Sequence, residues 1–255
     1  MTGTMAKASP RAPLSGPAFI RLLARLTDAH VAQSNHALAD RLSQWIDWTR
    51  AVAVSKALDG KLPEIDALPD TRRLDTEACA RVRTGLATSS VVELDAVLAR
   101  VRRDARSATA ADIDAAAAAA APALDYAPFR QHYLAMQRAM RTATGDLRGR
   151  LRDMLALESA PMARLAEVDA VMELTLSPRE QTLLNHVPNL LGAHFERLRD
   201  AAQAQNAAPD GEAAPRALSD GWLDVFRKDM QSVLLAELDV RFHPIEGLLA
   251  ALRTR

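Results

Sequence analysis

The feature that most constrains the fold is an apolar repeat within the segment 128–157. Apolar side chains recur there at steps of three or four residues, at Phe129, Tyr133, Met136, Met140, Ala143, Leu147, Leu151 and Met154. Because an α-helix has about 3.6 residues per turn, these steps place all of them on one face. Arginines occupy many of the intervening positions, as on the solvent side of an amphipathic helix. The segment predicts one long helix that lays an apolar seam against a neighbour, in the manner of a coiled coil.

The same helical period recurs along most of the chain, and no segment shows the sustained alternation of a β-strand. Aromatic residues make up only 4% of the sequence, which also disfavours a β-sandwich or β-barrel. We therefore predict an all-α fold, a bundle of long antiparallel amphipathic helices with coiled-coil-like packing.

Local signals predict several helix boundaries. Residues 34–58 predict one helix, which Asp59 and Gly60 end. Thr109 with Asp112 resembles a capping box that starts another helix. The motif Ser177-Pro178-Arg179-Glu180 is the strongest predicted start, and Pro244 is predicted to break the last helix.

The composition predicts four parts along the chain. Residues 1–15 read as a disordered N-terminal tail and residues 16–206 as the helical bundle. Residues 207–218 contain two prolines, one glycine and many small or polar residues, which is typical of a flexible linker. Residues 219–255 then form a C-terminal helix that docks on the bundle or on a partner.

Charge and hydropathy exclude several classes of protein. Lys and Arg total 32, and Asp and Glu also total 32, so the formal net charge is zero. A balanced charge argues against the broad positive field that drives non-specific binding to nucleic acid or anionic membranes. The sequence shows neither the roughly 20 consecutive apolar residues of a membrane span nor a secretory signal. Its one cysteine, Cys79, fits a reducing compartment, so we expect a cytoplasmic protein that does not insert into the membrane.

The sequence shows no motif of known chemistry. None of the six histidines has another at the helical spacing of a metal pair, and no glycine-rich phosphate loop or nucleophile elbow occurs. We therefore predict no catalytic, cofactor-binding or metal-ligating residue, no cofactor, and a protein that is not an enzyme. The alternative is an α-helical enzyme whose carboxylates or histidines converge only in the fold.

Two sets of residues are candidates for binding a partner. The five side chains most suited to a protein interface are Trp45, Trp48, Trp222, Phe226 and Met230. The arginine-bearing helices, with Arg100, Arg102, Arg103 and Arg106 on one and Arg138, Arg141, Arg148, Arg150 and Arg152 on another, suggest nucleic-acid binding as the alternative. Aspartates interleave with these arginines, so nucleic acid is the less favoured partner. We predict a helical interaction or scaffold protein that binds another protein or a second copy of itself.

Two motifs carry a resemblance to a known family. The stretch Leu38-Ala39-Asp40-Arg41-Leu42-Ser43-Gln44-Trp45, continuing to Trp48-Thr49, and the stretch Leu176-Ser177-Pro178-Arg179-Glu180 resemble an uncharacterised proteobacterial family known only as a domain of unknown function. The resemblance covers residues 15–249 and brings no activity, cofactor or site residue. Genes of that family often neighbour those of a large membrane protein and an envelope protein. The resemblance therefore implies a cytoplasmic helical partner of an envelope assembly.

Overall fold

The computed structural model describes residues 17–28, 38–61, 76–114, 124–207 and 221–253. These ranges contain eight α-helices and no strand: α1 (Ala18–Thr27), α2 (Leu38–Trp45), α3 (Trp48–Asp59), α4 (Thr76–Asp114), α5 (Ala127–Glu158), α6 (Ala160–Leu184), α7 (Val187–Ala207) and α8 (Gly221–Arg253). The predicted all-α fold is confirmed for the described residues.

The core lies where α4, α5 and α8 pack against one another. Helix α8 also contacts α1 and α7, and α5 also contacts α6 and α7, so these helices surround the centre. Helix α3 packs on α6 and forms an outer layer. Helix α5 confirms the predicted long helix, because six of the eight predicted seam positions are buried: Phe129, Tyr133, Met136, Met140, Leu147 and Leu151. Its coiled-coil-like packing stays a prediction.

An aromatic cluster ties α5, α7 and α8 together. The ring of Phe226 lies 5.0 Å from that of Phe195 and 5.2 Å from that of Phe129, both in edge-to-face orientation. The indole of Trp222 meets Phe195 at 5.1 Å, again edge-on. These orientations bring a positive ring edge to a negative ring face, which stabilises aromatic pairs beyond their area of burial.

Two predicted boundaries at prolines are wrong. Helix α6 runs through Pro178, and α8 runs through Pro244. A proline removes one intrahelical hydrogen bond and crowds the carbonyl four residues earlier, but the turns on both sides remain packed against neighbours. On α6 the flanking Thr175 and Leu184 are buried, and on α8 Phe242 and Ile245 are buried. Packing therefore outweighs the local cost of each proline.

Two further boundaries differ from the prediction. Thr109 lies inside α4, which extends to Asp114, so no helix starts there. The single helix predicted over 34–58 is broken instead, because α2 ends at Trp45 and α3 begins at Trp48. Asp47 caps α3 by accepting a hydrogen bond from the backbone N–H of Arg50 at 2.8 Å. The spacing of apolar residues continues across residues 45–48 and so does not reveal this cap.

The predicted domain division falls partly outside the described ranges. The tail 1–15 and most of the linker, 208–218, lie outside them and stay predictions. The C-terminal helix is packed against four other helices of the bundle, through buried side chains that include Leu223, Val233, Leu234 and Leu238. No helix in the described ranges is both long and apolar enough to span a bilayer.

Candidate functional site

The outward side of α3 carries an apolar stripe. Trp48, Ala51, Ser55 and Leu58 follow one another at steps of three, four and three residues; all four are exposed, and Ser55 is the polar member of the stripe. Val52 borders the stripe, and the buried Ala57 lies on the opposite side of the helix, towards α6. Trp48 is 83% exposed and Leu58 49%. This spacing is typical of a helix that packs along another helix, yet here the stripe faces solvent. We call it the α3 face.

Two arginines of α6 fix the position of α2 and α3. Arg164 donates to the carbonyl oxygens of Ala57 at 3.3 Å and Gly60 at 3.2 Å, and also to that of Leu58. These carbonyls end α3 and lack intrahelical partners, so the guanidinium caps the helix. At the other end, the guanidinium carbon of Arg179 lies 5.0 Å from the centre of the Trp45 ring, within cation–π range. The α3 face is therefore held on a fixed platform.

Helix α6 adds exposed apolar side chains to the same layer. Leu174 is 74% exposed, Leu183 is 64% exposed and Leu165 is 39% exposed. Single exposed leucines are ordinary on a protein surface, so these alone decide nothing. Together with the α3 face they make the α3–α6 layer the place where large apolar side chains concentrate on the described surface.

The structure separates the five predicted partner-binding side chains. Phe226 and Met230 are 0% exposed and fill the core, so in this fold they offer no surface to a partner. Trp222 packs edge-on against Phe195, and Trp45 lies half-buried under Arg179. Trp48 alone of the five presents most of its ring to solvent. The sequence could not make this distinction, because all five occupy similar positions in apolar helical patterns.

A buried polar network joins α5 to α8, and the sequence analysis missed it. Oε2 of Glu237 accepts hydrogen bonds from the Tyr133 hydroxyl at 2.6 Å and from Nε2 of Gln137 at 3.0 Å. Oε1 accepts from Nε and Nη2 of Arg241 at 3.0 and 2.7 Å. Glu237 is 0% exposed, and burial together with this carboxylate raises the pKa of Tyr133 well above its usual value. Four donor atoms therefore occupy the two oxygens of the carboxylate. Two of them come from α5, so the carboxylate links α8 to α5.

Part of the predicted arginine stripes is paired with carboxylates, at Arg102, Arg148 and Arg152. Arg148 donates to both carboxylate oxygens of Asp169, at 2.8 and 2.7 Å, and Arg152 also reaches Asp169 and pairs with Glu173. Burial opposes the charge of Arg148, but the hydrogen bonds to Asp169 and the negative charges of Asp169, Glu173 and Glu180 together outweigh it and raise the pKa of Arg148. Such pairing leaves less positive charge for phosphates than the sequence suggests, and it weakens the nucleic-acid alternative.

Two histidines have carboxylate neighbours. Nε2 of His194 lies 2.9 Å from Oδ2 of Asp229, and Nδ1 of His132 lies 3.7 Å from Oε2 of Glu93. In the described part of the chain, no group of three or more His, Cys, Asp or Glu side chains is placed to hold a metal ion. Cys79, the one cysteine of the chain, is buried.

His132 is expected to make stability depend on pH. Its side chain is 3% exposed, and Nε2 is buried without a hydrogen-bond partner among the described residues. Burial lowers the pKa of His132 below the ordinary value of 6.5, against weaker opposing effects from Ser90 and Glu93. The unfolded chain therefore takes up this proton first, so stability is complete above pH 6.5 and falls as the pH drops below it.

The substitution His132→Gln tests this directly. Urea unfolding is measured for both chains in slightly alkaline and in mildly acidic buffer. We expect the loss of unfolding free energy on acidification to be smaller in His132→Gln than in the wild type. An equal loss in the two chains would show that His132 does not carry this pH dependence.

A comparison with protein families decides the relationship of the chain. Residues 5–254 match the family described as protein of unknown function, DUF3348. The chain belongs to the DUF3348 family. This confirms the resemblance to a family of unknown function, and the match covers nearly the whole chain. No curated protein and no solved structure matches the sequence of this DUF3348 protein.

Proposed function

We propose that this protein is a non-enzymatic helical interaction protein, and that its α3 face binds a helix of another protein chain. The observation that carries the proposal is the 83% exposure of Trp48 at the start of an apolar stripe with helix-packing spacing. Tryptophan is enriched among the residues that dominate binding energy at interfaces. A partner helix that covered the stripe would remove this indole and Leu58 from water.

The platform beneath α3 supports the same proposal. Arg164 holds the C-terminal end of α3 on α6, and Arg179 contacts Trp45 just before α3 begins, so the α3 face is already ordered before a partner binds. A surface that is already ordered loses less conformational entropy when it binds. The zero net charge of the chain also removes long-range repulsion between copies, so a second copy is one partner that the surface can accept.

The proposal places the protein in the cytoplasm. A chain with a single cysteine, buried at 3% exposure, suits a reducing compartment. The family resemblance implies an envelope assembly as the source of the partner helix, and this stays a prediction.

Affinity purification from the native host, read by quantitative mass spectrometry, tests the proposal. The full chain is compared with Trp48→Glu, which places a charge in the α3 face. We expect a protein that co-purifies in stoichiometric amount with the wild type to be depleted at least about tenfold with Trp48→Glu, the scale of a single interface hot spot.

Val92→Glu is the matched control, because Val92 is 60% exposed and lies on α4, away from the α3–α6 layer. This variant is expected to keep the partner. Co-purification of tagged with untagged chains, lost in Trp48→Glu alone, would identify the partner as a second copy. Equal loss in the two variants, or no stoichiometric partner at all, would contradict the proposal.

A further inference from the structure

A polar cavity of about 310 Å³ lies between α5, α6 and α8, and no residue of the aromatic cluster lines it. Its charged lining consists of four arginines and two glutamates: Arg138, Arg141, Arg148, Arg241, Glu173 and Glu180. Amide and hydroxyl side chains complete the polar wall, with Gln137, Gln181, Asn185 and Ser177 among them. A cavity of this volume is at the lower end of the range that holds small molecules.

Two of the four arginines already have carboxylate partners. Arg148 is paired with Asp169 and Glu173. Arg241 is paired with the buried Glu237 at 2.7 Å and lies 3.5 Å from Glu180. These pairs neutralise the inner wall of the cavity and fix its shape.

The other two arginines have no such partner. Arg138 and Arg141 are exposed, and neither guanidinium group makes an ion pair or hydrogen bond with the described residues. They lie three residues apart on α5, so their guanidinium groups share one face of the helix and repel each other weakly. An oxyanion between them would accept charge-assisted hydrogen bonds from both and relieve that repulsion.

Hydrogen bonds within the protein hold the floor of the cavity in place without a ligand. Nε2 of Gln137 donates to the carbonyl of Leu184 at 3.1 Å and to Glu237 at 3.0 Å. Pro244 lines the wall and has no N–H, so it cannot donate to the carbonyl of Val240, which also lines the cavity. The cavity thus combines unpaired cationic donors at its rim with a fixed polar interior.

We propose that this cavity binds a small molecule bearing a carboxylate or phosphate group, and that Arg138 and Arg141 bind its oxyanion. Arginine suits this role because its planar fork of N–H donors matches the geometry of both groups. The site is separate from the α3 face and goes beyond the proposed function, since it gives the protein a small-molecule ligand.

Isothermal titration of the full chain with inorganic phosphate and, separately, with citrate tests the proposal at constant ionic strength. We expect saturable binding of at least one anion by the wild type. The double variant Arg138→Gln/Arg141→Gln is expected to bind at least about tenfold more weakly, because it loses the charged donors. Saturation by phosphate alone or by citrate alone identifies which oxyanion the site prefers.

The control is Arg100→Gln/Arg103→Gln on α4. These arginines have the same three-residue spacing, are also exposed, and lie outside this cavity. The control is expected to bind as the wild type does. Without anion, Arg138→Gln/Arg141→Gln is expected to melt no lower than the wild type, because it removes no ion pair. Absence of saturable binding of both anions by the wild type, or an equal loss in the two double variants, would overturn the proposal.

Discussion

Replacing Glu237 by alanine is expected to lower the free energy of unfolding by about 3–5 kcal/mol, the cost of breaking a buried ion pair from one side. The carboxylate is 0% exposed and accepts hydrogen bonds from Tyr133, Gln137 and Arg241. Its removal leaves the Arg241 side chain, which is 10% exposed, with only a 3.5 Å approach to Glu180. Urea denaturation followed by circular dichroism measures the change.

Glu246→Ala is the matched control on the same helix. Glu246 also pairs with an arginine, Arg83, at 2.6 Å, but its side chain is 49% exposed. Water and salt screen this pair, so we expect a loss of about 1 kcal/mol or less. If the two variants lost similar amounts of stability, the buried network would not be holding α5 to α8.

The second large effect is expected for Phe226→Ala, which should lose about 3–5 kcal/mol of unfolding free energy, as for other buried phenylalanines. The Phe226 ring is 0% exposed and meets the rings of Phe195 and Phe129 within 5.2 Å. Truncation to alanine removes these contacts and opens a cavity between α5, α7 and α8. Urea denaturation again measures the loss.

Val225→Ala, at the neighbouring position, is the exposed control for Phe226→Ala. Val225 is 47% exposed, so its truncation is expected to change stability by no more than about 0.5 kcal/mol. If Phe226→Ala were as mild as Val225→Ala, the aromatic cluster would not form the core. Phe226 would then again be a candidate for binding a partner, as the sequence predicts.

The fold class and the longest helices could be predicted because they depend on periodicity within one segment. The apolar steps from Phe129 to Met154 are sufficient to define α5. Helix boundaries were less predictable at proline. Pro178 and Pro244 carry strong local signals, but packing by residues on both sides outweighs them, and these contacts come from distant parts of the chain.

The site was less predictable than the fold because its contacts join residues far apart in sequence. Tyr133 and Glu237 are 104 positions apart, and neither belongs to a recognisable motif. Trp48 was predicted as a binding residue together with four others, and only the three-dimensional packing shows that its ring is exposed while Phe226 is buried. One local signal in the sequence could have placed part of the site: Asp47 is a capping residue, and it starts α3 at Trp48.

Site-specific photo-crosslinking in the native host tests the central claim most directly. A photoreactive amino acid replaces Trp48 in one full-length chain and Val92 in another, and both are irradiated in living cells. If the α3 face binds a protein, position 48 gives one discrete adduct, of a partner or of a second copy, and position 92 does not. No discrete adduct from position 48, or the same adducts from both positions, would contradict the account.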